Sequence, residues 1–235
     1  MLELLRAEHA AERILVGEYV AKSATLTEIR KRAAAMGVPV RNVPKTEIDK
    51  AAGGLNHQGV VAVTARFRYT PMDELLKESE PVLIFLDGLT DPHNLGSLLR
   101  SADGAGVTGI VLPARRSVAV TSAVRRVSAG AAEIVPVARV GNLGRAIDEA
   151  REAGVWIIGF DEDAQEDIWS SAMLEAPVGL VLGAEDRGIA PTIQERCDAI
   201  VSIPSVGRLS SLNVAVAGAV VMFEIARRRG HSDTL

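Results

Sequence analysis

Six continuous apolar segments between residues 81 and 203 constrain the fold of this chain more than any other feature. They lie at residues 82–86, 109–112, 134–137, 155–160, 178–182 and 199–203. Strands without polar alternation are buried on both faces, which is typical of a parallel sheet covered by helices. Segments of helical spacing separate them and end at glycines. The sequence therefore predicts a doubly wound α/β domain over residues 81–235.

The first 68 residues repeat the α/β pattern on a smaller scale. Strands are predicted at 13–17, 38–43 and 60–65, and helices at 25–36 and 46–52. Thr25 or Thr27 is the expected N-cap of the first helix. Residues 69–80 contain a proline and several charges and are expected to be a linker with a short helix. We predict three parts: a small module (1–68), a linker (69–80) and a larger domain (81–235).

Charge is divided unevenly along the chain. Residues 1–70 hold 11 Lys/Arg and 7 Asp/Glu, for a net charge of +4, whereas the rest holds 15 and 23, for −8. Either the basic module meets a polyanion, or this is ordinary surface charge. No apolar segment approaches the roughly 20 residues that cross a bilayer, so we expect no membrane association. The single cysteine, Cys197, excludes an internal disulfide and fits a cytoplasmic location.

Ligands of open α/β sheets bind outside the carboxyl ends of the strands, and three apolar segments are followed there by unusual polar sequences. Residues 87–100 carry Asn94 and Arg100, residues 183–188 carry Glu185 between two glycines, and residues 203–213 carry Ser211 and Asn213. Each has a structural explanation as well: a helix cap, an acidic turn or the start of the last helix. A nucleotide-dependent oxidoreductase is disfavoured because no G-x-G-x-x-G follows residue 86.

Together the three segments resemble the motifs of the SpoU family of RNA ribose 2′-O-methyltransferases. They read N-x-G-x-x-x-R at 94–100, L-G-A-E-x-x-G at 182–188 and I-P-x-x-G-x-x-x-S-L-N-V at 203–214. Each motif alone is only weakly specific for the family, but the three motifs in this order are highly specific. The H-Q-G-V-V-A sequence at 57–62 is similar to the RlmB-type branch, which methylates a guanosine of 23S ribosomal RNA.

This resemblance implies an α/β-knot fold of the SPOUT class, with a deep trefoil knot in the C-terminal part and a small N-terminal module similar to the L30e-like RNA-binding domain. It implies a homodimer with the last helix at the interface. It also implies S-adenosyl-L-methionine as cofactor, held largely by backbone groups at Gly183, Ile203 and Leu212. Methyl transfer from a sulfonium needs positioning rather than Lewis acidity, so we expect no metal.

By resemblance, Arg100 activates the ribose 2′-hydroxyl, either as a base or by stabilising the alkoxide. The electrostatic role is favoured because free arginine keeps its proton to above about pH 12. Asn94 would position Arg100 or the target nucleotide, and Glu185 would anchor the network. Ser211 and Asn213 would add polar contacts.

RNA recognition is assigned to the basic module. The candidate contacts are the loop residues Asn56, His57 and Gln58 with the cations Arg41, Lys45, Arg66 and Arg68. A 23S ribosomal RNA guanosine is the favoured target. A tRNA, an antibiotic-resistance ribosomal adenosine and a non-catalytic RNA-binding or ribosome-assembly role remain the alternatives.

Overall fold

The structure is a computed structural model that describes residues 11–54, 56–64, 67–175, 177–205, 207 and 212–230. The chain separates after Phe67 into two compact units, one position before the predicted module ends. Within the described ranges, no helix is both long and apolar enough to span a bilayer.

The first unit is a three-stranded sheet with a helix on each face. Its elements in chain order are β1 (Ala11–Gly17), α1 (Ala24–Ala35), β2 (Val40–Val43), α2 (Lys45–Ala52) and β3 (Val60–Thr64). The strand order is β2-β1-β3, with β1 parallel to β2 and antiparallel to β3. Since side chains alternate along a strand, Ile14 and Val16 pack under α1 while Leu15 joins Ile48 of α2.

The boundaries of α1 and β2 differ from the sequence prediction. Ser23, not Thr25 or Thr27, caps α1: its backbone is extended and its hydroxyl oxygen accepts from Leu26 N at 3.1 Å. Thr27 already lies inside the helix, where its hydroxyl donates to Ser23 O. The strand β2 begins at Val40 rather than Val38, because Val38 N is bonded to Ala33 O and closes the helix.

The second unit is built on a seven-stranded sheet with helices packed against it. Its strands are β4 (Val82–Asp87), β5 (Gly109–Pro113), β6 (Val137–Val140), β7 (Trp156–Phe160), β8 (Glu166–Asp167), β9 (Val178–Gly183) and β10 (Ala199–Ser202). Its α-helices are α3 (Met72–Leu75), α4 (Pro92–Gly104), α5 (Ser122–Val127), α6 (Leu143–Glu152), α7 (Pro191–Gln194) and α8 (Val214–Arg228). Two short 3₁₀ helices lie at Ala131–Glu133 and Ala172–Glu175.

The strand order is β6-β5-β4-β9-β7-β10-β8, and the pairings along it are parallel. The central strands β4 and β9 are almost completely buried, as their uninterrupted apolar sequences predicted. The predicted fold class, an α/β protein with a mostly parallel sheet, is confirmed.

One predicted strand was placed wrongly. Residues 134–137 are not a strand: Ile134 closes a 3₁₀ helix and is 57% exposed, and β6 begins only at Val137. The apolar segment spans a turn and the start of the strand, a combination that periodicity cannot separate.

The segment 69–80 packs on the second unit. Thr70 N donates to Val137 O at 2.8 Å, and Leu75 of α3 is buried in the core between the sheet and α6. These residues belong to the second compact unit.

The three arginines at the end of α8 are used within the fold. Arg228 donates to the carbonyls of Ile168, Trp169 and Ser171 and to the Glu224 carboxylate. Arg229 donates to the backbone and carboxylate of Glu80. Hydrogen bonds from Arg227, and then from Arg228, lower the pKa of Glu224 to about 2.

Gly96 allows α4 to lie close to α5. A Cβ at this position would lie 2.6 Å from Cβ of Val127 and 3.2 Å from the backbone nitrogen of Ser128. The closeness fixes the first turn of α4, which carries Asn94, against its neighbour.

We expect Gly96→Ala to lower the free energy of unfolding by about 1–3 kcal/mol, the usual cost of overpacking. Elsewhere in a helix the same change stabilises by roughly 0.5–1 kcal/mol. Urea unfolding measures the free energy of unfolding of Gly96→Ala and of the control Gly104→Ala. Gly104 is a suitable control because a Cβ there meets only the tip of the exposed Phe223 side chain. Equal stability of the two variants would contradict this account of Gly96.

Candidate active site

The carboxyl ends of β4 and β9 lie side by side and level with each other. Asp87 pairs with Gly183 in the sheet register, and the Asp87 carboxylate accepts from Ala190 N at 2.8 Å. Beyond β9 the chain turns sharply, with Ala184 and Gly188 exchanging backbone hydrogen bonds. Gly183 needs to be glycine because a Cβ there would lie 2.1 Å from the carbonyl carbon of Gly188. Glu185 therefore projects from a tight turn at the edge of the sheet.

Asn94, Glu185 and Asn213 meet in one hydrogen-bond network. Asn94 Nδ2 donates to Glu185 Oε1 at 2.7 Å, and Asn213 Nδ2 donates to the same oxygen at 2.8 Å. Asn213 Nδ2 also lies 3.1 Å from Asn94 Oδ1, which accepts from it. Three segments that are remote in sequence thus converge, as expected from the three motifs.

The orientation of both amides is fixed by their partners. Asn213 caps α8, and its Oδ1 accepts from Ala215 N at 2.9 Å, so its Nδ2 must face Glu185. Asn94 has its oxygen towards Asn213 and its nitrogen towards Glu185, so flipping it would put two acceptors against each other. The second carboxylate oxygen of Glu185 makes no hydrogen bond with a described residue, and this exposed side chain has an acceptor left for a ligand.

Asn94 does not cap α4, although a helix cap was the structural explanation that the sequence suggested for it. Asp91 is the N-cap, and its carboxylate accepts from His93 N at 2.8 Å. Asn94 is buried in the first turn, with its amide directed at Glu185 instead of at the backbone.

Arg100 lies on the exposed side of α4, six residues beyond Asn94. Six residues correspond to about 9 Å along a helix and to a different face from that of Asn94. In the described part of the chain Arg100 has no hydrogen-bond or ion-pair partner, so the network does not hold it. Its guanidinium is available to a ligand.

The predicted cofactor contacts lie around the same edge. Gly183 ends β9, Ile203 follows β10, and Leu212 precedes the Asn213 cap with 46% of its surface exposed. The predicted contact Ser211 lies outside the described residues.

The predicted RNA contacts of the first unit gather near one loop. Asn56 and Gln58 are exposed, and Gln58 has a left-handed backbone with φ of 47°. His57 is held from both sides: its Nδ1 accepts from Gly59 N, so its Nε2 donates to Asp49 at 3.0 Å. Lys45 forms an ion pair with Asp49 at 2.9 Å, which raises the pKa of Lys45.

Two further candidates lie on other segments. Arg41 is an exposed residue of β2, and Arg68 is exposed in the second unit. Arg66 is not among the residues that the structure describes.

Sequence reasoning missed two cations beside the site. Arg115 and Arg116 are exposed in the segment after β5, and neither forms an ion pair with another described residue. This segment is tied to the loop after β4, since Val118 N and the Ser117 hydroxyl both donate to Leu89 O. An unpaired Arg-Arg sequence directly after a strand is a signal that could have identified them.

The residues described contain no cluster of three or more His, Cys, Asp or Glu arranged to hold a metal ion. What they do contain is an amide–carboxylate network with cations around it.

This combination, a parallel α/β sheet with polar groups from three segments at its carboxyl edge, defines a class of ligand-binding enzyme folds, and sequence comparison specifies the family. Residues 81–223 match the SpoU rRNA Methylase family, and residues 1–70 match the family described as RNA 2′-O ribose methyltransferase substrate binding. The chain belongs to the SpoU family.

Relatives that match almost the whole chain are also named as RNA methyltransferases. A Bacillus subtilis (strain 168) protein, YacO, named for the TrmH family of tRNA/rRNA methyltransferases, is 37% identical over 97% of this chain and 93% of its own length. A Staphylococcus haemolyticus protein named for the same family is 38% identical over 97% of this chain and 92% of its own.

Solved structures share the fold. The SpoU methyltransferase AviRb from Streptomyces viridochromogenes, in complex with AdoMet, is 25% identical with a TM-score of 0.78, covering 97% of this chain and 87% of AviRb. An AdoMet-bound rRNA methyltransferase from Sinorhizobium meliloti is 26% identical with a TM-score of 0.76, covering 96% and 83%.

We expect Asn94→Asp to destabilise the protein at pH 7 by about 1–3 kcal/mol, because it replaces a donor with a second carboxylate against Glu185. Urea unfolding at pH 7 measures this.

The double variant Asn94→Asp/Glu185→Gln is the matched control. It exchanges donor and acceptor between positions 94 and 185 and removes the repulsion between two carboxylates, so it should recover part of the stability at pH 7. Recovery is incomplete because Asn213 Nδ2, which also donates to Glu185 Oε1, then keeps its acceptor only at position 94. A single Asn94→Asp variant as stable as the parent protein would show that the network contributes nothing.

Proposed function

We propose that this protein transfers a methyl group from S-adenosyl-L-methionine to a ribose 2′-hydroxyl of RNA. The observation that carries the proposal is the convergence of Asn94, Glu185 and Asn213 beside the carboxyl ends of β4 and β9, in the family to which the chain belongs. The AdoMet complexes of AviRb and the Sinorhizobium enzyme support the choice of cofactor.

The residues at this edge fit such a cofactor. Leu212 and the half-buried Ile203 offer apolar surface for an adenine ring, and backbone groups at Gly183, Ile203 and Leu212 would hold its polar atoms. The free carboxylate oxygen of Glu185 suits the positive charge of the sulfonium or amino group. The cofactor, when bound, supplies an electrophilic methyl group.

Arg100 is proposed as the group that activates the nucleophile. A guanidinium keeps its charge at neutral pH, so it stabilises the alkoxide that forms as the 2′-hydroxyl loses its proton to solvent water, rather than taking that proton itself. Its exposure and the absence of a hydrogen-bond or ion-pair partner among the described residues support this role. Asn94, Asn213 and Ser211 would position the nucleotide, with Glu185 holding the two amides in place.

We assign recognition of the RNA to the first unit. The match of residues 1–70 to a substrate-binding family supports this, as does the exposure of Asn56, Gln58 and Arg41. Arg115 and Arg116 would bind phosphates of the strand that enters the site.

We propose a 23S ribosomal RNA guanosine as the target, on the resemblance of residues 57–62 to the RlmB-type branch. The relatives are named for both tRNA and rRNA, so a tRNA and a ribosomal adenosine are separate arms of the experiment below.

We also propose a homodimer formed through α8. Val216 and Phe223 are seven residues apart on one helical face, and each is about half exposed (50% and 51%). The partly exposed Ala219 and Val220 lie between them. A second copy is the occupant that fits, because apolar self-complementary faces are what two-fold interfaces bury.

Arg100→Ala should reduce methyl transfer by about 10²-fold or more and leave cofactor affinity nearly unchanged. The assay incubates the protein with labelled S-adenosyl-L-methionine and unmodified 23S rRNA or tRNA, then maps the methylated ribose; calorimetry measures cofactor binding.

Arg145→Ala is the control, since Arg145 is an exposed α6 residue whose guanidinium, among the described residues, pairs with Glu149. Full activity of Arg100→Ala would refute its role. Absence of cofactor binding by the parent protein would refute the proposed function.

Val216→Lys/Phe223→Lys should convert the dimer to a monomer, because two cations on each face would repel their counterparts. Light scattering after gel filtration measures the mass. Lys77→Glu, an exposed change in the second unit, is the control. If the double lysine variant has the mass of the parent, the interface lies elsewhere.

A further inference from the structure

The first unit exposes one large aromatic side chain in its described part, and that side chain lies next to the proposed RNA-binding loop. Tyr19 is 52% exposed in the turn that follows β1. A Cβ on Gly17 would lie 2.5 Å from the Tyr19 ring, and one on Gly59 would lie 3.6 Å from it. The ring therefore rests on the backbone of two glycines.

This support is rigid. Gly17 N donates to Gly59 O at 2.8 Å, Glu18 N donates to Val43 O at 3.0 Å, and Val20 N closes the turn on Gly17 O at 2.9 Å. The hydrogen bonds on either side of Tyr19 join the ends of all three strands. An aromatic ring held in this way loses little conformational freedom when a ligand covers its exposed surface.

Hydrogen-bonding and charged residues lie in the segments next to the ring. Asn56 and Gln58 are exposed in the loop that ends at Gly59, and Lys45 begins α2 two residues after Val43. The carboxylate of Asp49 is balanced by Lys45 at 2.9 Å, which leaves Glu18 as the exposed anion of the turn. A flat apolar surface beside a loop with two exposed amides matches the requirements of a nucleobase: stacking on the face and hydrogen bonds at the edge.

We propose that the Tyr19 ring is a stacking platform for an unpaired base of the RNA substrate. The proposal rests on the proposed function, since it specifies how the first unit of an RNA methyltransferase recognises its substrate. The base must be unpaired because bases inside an A-form helix are already stacked and its deep major groove does not admit side chains. Asn56 and Gln58 then read the edge of that base.

The test measures RNA binding by the full-length protein, using unmodified 23S rRNA and a short single-stranded RNA carrying 2-aminopurine. Tyr19→Ala should weaken affinity for both by about tenfold, in the range found for the loss of one base–aromatic stack. Tyr19→Phe keeps the ring and should bind within about twofold of the parent. The 2-aminopurine emission should be quenched by the parent and by Tyr19→Phe, but not by Tyr19→Ala.

Trp156→Ala is the control, because Trp156 is an exposed aromatic residue of the second unit and its loss should leave RNA binding unchanged. Unchanged affinity of Tyr19→Ala would overturn the proposal, as would an equal loss in Tyr19→Phe, which would assign the effect to the hydroxyl.

Failure of the proposed function has a different signature. It would appear as absence of cofactor binding and methyl transfer in the parent protein, whereas failure of the Tyr19 proposal leaves both intact. Unfolding curves of the three variants keep a loss of fold separate from a loss of binding.

Discussion

One carboxylate oxygen holds the candidate site together. Glu185 Oε1 accepts from Asn94 at 2.7 Å and from Asn213 at 2.8 Å, and so joins the first turn of α4, the turn after β9 and the start of α8. Hydrogen bonds to an ionised group contribute roughly 1.5–3 kcal/mol each. Because Asn213 also caps α8 through its amide oxygen Oδ1, the position of that helix is coupled to the geometry of the site.

The sheet explains why these segments can meet. Asp87 and Gly183 end neighbouring strands in register, so the loops after β4 and β9 leave the sheet at the same level. Gly96 lets α4 approach Val127, and Gly183 lets the end of β9 approach the backbone of Gly188. A side chain at either position would push these segments apart. The site is thus prepared by packing before any ligand binds, which is how positioned groups accelerate a reaction.

The sequence was sufficient to predict most of the strands and the meeting of the three motifs, but not β8 or the use of each side chain. Buried strands follow from local composition, and strand ends follow from parallel topology. The partner of Asn94 is 91 residues away, and local rules favoured a cap that Asp91 in fact provides. The prediction of a strand at 134–137 was wrong for a related reason. In sequence, the apolar residues of a turn and of a strand look alike until tertiary contacts distinguish them.

Tertiary contacts also decide which arginines remain available to a ligand. The second unit is acidic overall, yet Arg115 and Arg116, in the segment bonded to the loop that follows β4, form no ion pair with another described residue, while Arg228 and Arg229 bind carbonyls and carboxylates of the fold. Counting arginines would therefore have selected the Arg-Arg-Arg sequence at the end of α8 as the place for a polyanion. Attraction for a phosphate depends on cations whose field is not already neutralised, and in the described part of this unit such cations include Arg115 and Arg116, in the segment after β5.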